Sequence, residues 1–99
     1  MRVLAGIYKS KKIETINNTD TRPMMSRVRE AIFNSIQFMV EDKDVLDLYS
    51  GSGSLGIEAL SRKANYVTFV ELSKECILIL KKNVENMSSN LSVVNSPVN

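Results

Sequence analysis

The 99-residue sequence has no histidine, no tryptophan and a single cysteine, Cys76. One cysteine forms no internal disulfide, and without histidine neither a Ser-His-Asp or Cys-His relay nor an ordinary zinc site can be assembled. Long apolar runs are also missing. The longest, Cys76 to Leu80, is five residues, against the roughly 20 that a membrane-spanning helix needs. The amino terminus, Met1-Arg2-Val3-Leu4-Ala5-Gly6-Ile7-Tyr8, leads into lysines and lacks the apolar core and cleavage site of a secretory signal, so a cytoplasmic location is expected. No Gly-Lys-Ser/Thr follows the glycine-rich segment, which excludes an ATP-gripping P-loop.

What is present is 43% hydrophobic and 24% charged residues, the composition of one globular unit. The net charge of +2 is unevenly spread. Residues 1–30 sum to +4 through Arg2, Lys9, Lys11, Lys12, Arg22, Arg27 and Arg29, and the remainder to −2. A basic leading segment on a mildly acidic body suits a polyanion binder, although a solvated basic edge without a partner has the same composition.

Along the chain, Arg2 to Tyr8 and Ile13 to Ile16 read as two extended runs around Lys9-Ser10-Lys11-Lys12, a hairpin. Pro23 biases Arg22 toward an extended conformation, so a helix is expected after it, capped by Ser26 and ending near Val40. Val28, Ile32, Ile36 and Met39 would form its apolar face. Val45 to Tyr49 suits a strand buried on both faces, Ser54 to Arg62 a helix, and Tyr66 to Val70 a second strand ending at Glu71. Ser73 can cap a helix presenting Ile77, Leu80, Val84 and Met87, and Leu91 to Val94 closes the series as a third strand. Strands alternating with helices imply a parallel sheet with right-handed crossovers, a Rossmann-like α/β fold. Three parallel strands make an unfinished sheet, so the chain is expected to be the first β-α-β-α-β half of a larger domain (41–99), preceded by a basic hairpin-and-helix segment (1–40).

The chemistry centres on Asp47-Leu48-Tyr49-Ser50-Gly51-Ser52-Gly53-Ser54-Leu55-Gly56, with Glu71 following Gly51 by 20 residues. Gly51 would allow the tight turn out of the strand, Gly53 the close approach of backbone to a ligand, and Gly56 close helix packing. Glu71, at the end of the next strand, is placed to accept hydrogen bonds from ribose hydroxyls. A dinucleotide site sets a pyrophosphate at the helix amino terminus, where Asp47 gains nothing. S-adenosylmethionine, which brings a cationic methionine moiety and no phosphate, makes an acid there sensible. The alternative for Asp47 is an ordinary capping carboxylate. Tyr49 could stack near the ligand, though a strand-end aromatic is more often core, and Arg29 reads as either a phosphate contact or a solvated partner of Glu30.

The run from Asp47 to Arg62 resembles the cofactor motif of class I methyltransferases, specifically the small-subunit methyltransferase D family, which methylates guanine N2 in bacterial 16S ribosomal RNA. Arg2-Val3-Leu4-Ala5-Gly6, Thr21-Arg22-Pro23 and Arg27 to Asn34 resemble that family's opening hairpin, loop and helix. The resemblance implies that Asp47, Gly51 and Gly53 line the methionine end of S-adenosylmethionine, Glu71 holds its ribose, and Leu72 lies against its adenine. It further implies that Thr21, Arg22, Pro23 and Arg27 cover the site and face the RNA, and that the full-length enzyme is a metal-free monomer. Lys63 stands where that family usually has glycine, and Ser96 where an acid often contacts adenine. The family's Asn/Asp-Pro-Pro-Tyr/Phe motif has no counterpart here, so the chain alone is expected to lack catalysis. Other nucleic-acid methyltransferases, a nicotinamide enzyme, and a non-catalytic RNA- or partner-binding module remain as alternatives.

Overall fold

The computed structural model describes residues 1–15 and 26–98. Its elements run α1 (Ser26–Val40), β1 (Asp44–Leu48), α2 (Ser54–Ser61), β2 (Tyr66–Glu71), α3 (Lys74–Val84) and β3 (Leu91–Asn95). The strands pair in the order β1-β2-β3, all parallel, with Leu46 opposite Thr68 and Thr68 opposite Ser92. This is the expected Rossmann-like α/β arrangement, held as an incomplete parallel sheet.

Both crossovers step the same way across the sheet, and right-handedness therefore sets α2 and α3 on one face. Val67, Phe69, Ile57 and Leu80 fill the core between them, each essentially solvent-free. The opposite face is bare: Leu46 (60% exposed), Leu48 (43%), Tyr66 (38%) and Val94 (40%) point to solvent. The strand around Leu46 is thus buried on one face only, contrary to the expectation from its apolar run, because among the described residues no helix lies on its other side.

The amino-terminal hairpin is shorter than the sequence suggests. Among the described residues, which end before Ile16 here, its pairing is confined to the Arg2–Lys12 bridge and its flanks, with Val3 N–H donating to Lys11 O at 2.9 Å and Ile13 N–H to Met1 O at 2.8 Å. Gly6 to Ser10 form the turn, so Tyr8 belongs to the bend and not to a strand. Val3 and Ile13 are buried and carry the hairpin into the core.

Helix α1 runs Ser26–Val40 and ends where expected, but Ser26 is a helical residue and not its cap, and the helix presents a different face. Arg29, Phe33 and Val40 are buried with Ile36 partly so, whereas Val28, Ile32 and Met39 are exposed. The helix is rotated because Arg29 is drawn under the hairpin. Its guanidinium donates from Nη2 to Arg2 O, and its Nε lies 3.9 Å from Glu58 Oε1, both side chains fully buried. Burial lowers the Arg29 pKa, with Glu58 opposing and Arg62 adding to the effect. Neither the surface pairing with Glu30 nor a phosphate contact describes this residue.

Candidate cofactor site

The site forms where β1 and β2 end side by side. Ser50 N–H extends the ladder by donating to Val70 O at 3.1 Å, and its Oγ donates to Asp47 O at 2.6 Å. The chain then turns through Gly51 at φ +58° and Gly53 at φ +90°, which caps α2. Gly51 has open space around its missing Cβ, consistent with a residue chosen for its turn. At Gly53 a Cβ would overlap Leu80 and press on Phe69, so this glycine makes room for the protein's own core. At Gly56 a Cβ would strike the Phe69 ring, which fits the expected close packing of helix on strand.

Asp47 and Glu71 hold this turn from two adjacent strands. Asp47, buried on the helix side of β1, accepts from Gly56 N–H through Oδ2 at 3.0 Å. It supplies from outside the helix the cap that Gly53 has no side chain to give. Burial pushes its pKa up to about 6, against the hydrogen bonds from Gly56 and Ser50 and with some help from Glu71. Glu71 accepts from Gly51 N–H through Oε1 and from Ser73 N–H through Oε2, each at 2.8 Å. One carboxylate thereby joins the glycine turn to the start of α3, where Ser73 Oγ caps Cys76 N–H at 3.3 Å as expected. Each Glu71 oxygen keeps a lone pair beyond these bonds, and the side chain is only half-buried.

Leu72 projects beside Glu71 and is 64% exposed. Arg27 is exposed at the start of α1. Thr21, Arg22 and Pro23 lie outside the described residues. The structure therefore brings Asp47, Gly51, Gly53, Glu71 and Leu72 together around one turn and leaves Arg27 on a separate helix.

One residue of this region is read differently by the structure, and two escaped the sequence reading. Tyr49 is 73% exposed at φ +57°, not core; it sits at the strand exit in a conformation unusual for an aromatic residue. Asn95 donates through Nδ2 to Glu71 O at 3.0 Å and Leu72 O at 2.9 Å, fastening β3 to the end of β2. Asn83 reaches the glycine turn from α3, donating to Ser52 O at 2.9 Å. A lone asparagine carries no spacing signature, so only the fold reveals these contacts.

Residues 1–98 match the family described as conserved hypothetical protein 95. The chain belongs to that family. It is similar to the ribosomal RNA small subunit methyltransferase D of Haemophilus influenzae, 41% identical over 87 residues that make up 88% of this chain and 45% of that protein. A solved Escherichia coli structure assigned as a methyltransferase overlays 97% of this chain and 52% of its own with TM-score 0.85 and 35% identity. One from Methanococcus maripaludis, assigned as dependent on S-adenosyl-L-methionine, overlays 72% of this chain and 32% of its own with TM-score 0.59 and 25% identity. The chain spans about half the length of the curated relatives it matches. Among the described residues no cluster of His, Cys, Asp or Glu could hold a metal ion, and no helix is long and apolar enough to cross a membrane.

Proposed function

We propose that this chain is the cofactor-binding half of an S-adenosylmethionine-dependent methyltransferase that modifies the N2 amine of a guanine in 16S ribosomal RNA. The observation that carries this reading is the pair of carboxylates, Asp47 and Glu71, braced on one glycine turn at the carboxyl ends of parallel strands. Family membership and the similarity to a ribosomal RNA methyltransferase support it.

The residues fit such a cofactor. Glu71 has free lone pairs for the two ribose hydroxyls while its backbone bonds hold it still, and Leu72 offers an apolar surface to adenine. Asp47 sets a carboxylate beneath the turn where the cationic methionine end would lie. S-adenosylmethionine, when bound, supplies an electrophilic sulfonium methyl. The work left to the protein is positioning, which suits a site with no histidine and no nucleophile. In this reading residues 1–40, with Thr21, Arg22, Pro23 and Arg27, cover the site and face the RNA. Residues 41–99 bind the cofactor, and the groups that orient the amine come from the half that relatives carry beyond this segment. That half also completes the sheet: a right-handed return from β3 to the free edge of β1 must run over the bare face carrying Leu46 and Leu48.

Isothermal titration of the chain with S-adenosylmethionine tests the cofactor assignment. Glu71→Ala should weaken binding by about tenfold or more, the effect of losing hydrogen bonds to a charged acceptor. Equal binding by Glu71→Ala, or tighter binding of NAD than of S-adenosylmethionine, would overturn it.

A further inference from the structure

Tyr49 holds a backbone conformation that does not suit its side chain, directly beside the glycine turn. It leaves β1 at φ +57° with its ring 73% exposed. Of the other non-glycine residues at positive φ among the described residues, Ser10 and Asp42 are small polar residues in turns and Lys63 closes a helix. An aromatic residue there carries the Cβ clash of the left-handed region, and an exposed ring buries too little apolar surface to offset it.

The same conformation decides where the ring goes. Along β1, Leu46 and Leu48 lie on the bare face and Asp47 is buried on the helix side. A strand continued regularly would carry Tyr49 to the helix side behind Asp47. The left-handed turn delivers it instead, exposed, to the carboxyl end of the sheet, where open α/β sheets bind their ligands. It stands one residue before Ser50 N–H returns to Val70 O and two before Gly51 N–H meets Glu71. We infer that Tyr49 is a cofactor-contact residue whose ring favours the sulfonium cation of S-adenosylmethionine over the uncharged thioether of S-adenosylhomocysteine. The inference rests on the cofactor reading proposed above and adds a selectivity to it. An aromatic face attracts a ligand cation, so Asp47 and Tyr49 together offer the positive end of the cofactor one carboxylate and one π-face.

Isothermal titration of the 99-residue chain with each of the two ligands reads this selectivity as a ratio of affinities. Tyr49→Phe keeps the ring face and should keep the wild-type ratio. Tyr49→Leu should lower the ratio about fivefold, through weaker S-adenosylmethionine binding, the effect of losing one cation–π contact. Tyr49→Gly removes the ring and relaxes the left-handed backbone, so it should unfold at a higher temperature than wild type and still lose the same selectivity. An equal loss of both ligands in the Leu and Gly variants, or an unchanged ratio, overturns the assignment and leaves the ring as a packing surface. Glu71→Ala keeps the two readings apart, because the ribose it addresses is common to both ligands. If Glu71→Ala weakens both alike while the Tyr49 variants keep the wild-type ratio, the cofactor reading stands and the Tyr49 assignment falls. Absence of binding by either ligand in wild type overturns both.

Discussion

Lys63 shows how a single side chain can be read against its backbone. It follows α2 at φ +72°, with Lys63 N–H donating to Leu60 O and Ala64 N–H to Ala59 O, the two bonds of a Schellman motif. A lysine in the left-handed region carries a Cβ clash that glycine avoids. Lys63→Gly should therefore raise stability by about 1 kcal/mol, which for a chain of this size is a rise of about 4–8 °C in Tm on thermal unfolding. Asp47 makes a second case, through its charge. Its folded pKa of about 6 lies above the ordinary 3.8 of an aspartate, so the folded state holds the proton longer than the unfolded state does. Stability from this group is greatest below pH 4 and is lost as pH rises to 6, by about 3 kcal/mol in total. Asn at this position still accepts from Gly56 N–H and has no proton to lose. Urea unfolding from pH 4 to 7 should show that decline in wild type and a curve flatter by that amount in Asp47→Asn.

At the scale of elements, the unexpected feature is the weld between the hairpin and α2. Glu58 accepts from Leu4 N–H at 2.9 Å, Ala5 N–H at 3.1 Å and Arg62 Nε at 2.9 Å, with the Arg29 guanidinium beyond. Ser61 continues the seam, accepting from Tyr8 N–H and donating to Ala5 O. Arg62 also lies over the Phe33 ring, 5.0 Å from its centre, which fixes α1 to the same corner. Among the described residues Arg29 Nε and Nη1 find no hydrogen-bond partner, so the buried charge depends on Glu58 for compensation. Glu58→Gln should cost about 3 kcal/mol or more in chemical unfolding, with early loss of the hairpin amides in hydrogen exchange. The helical period of α1 was legible in its sequence, but its buried face was not. Apolar spacing nominated Val28 and Ile32, and a charge pairing 29 residues along the chain selected Arg29 and Phe33 instead.

For the whole molecule, the decisive quantity is the uncovered side of the sheet. Parallel sheets are normally covered on both faces, and here Leu46, Leu48, Tyr66 and Val94 remain open beside the edge of β1 that no strand among the described residues pairs. The chain on its own should self-associate with rising concentration in sedimentation velocity. Leu46→Lys with Leu48→Lys should reduce that association without changing the hairpin or the glycine turn; an unchanged sedimentation profile would count against the bare face as its cause.

The order of strands and helices, the glycine turn and the placing of Asp47 and Glu71 at strand ends could all be read from sequence, because each rests on local period or on fixed spacing along the chain. What those residues touch was decided by the tertiary structure. Gly53 clears space for Leu80, Asp47 caps α2, and Asn83 links Glu14 to Ser52 because helix packing brings together groups that no sequence interval encodes. The bare face belongs to the same class, since an apolar strand reads alike whether one face or both are covered, and only the handedness of the two crossovers places both helices on one side.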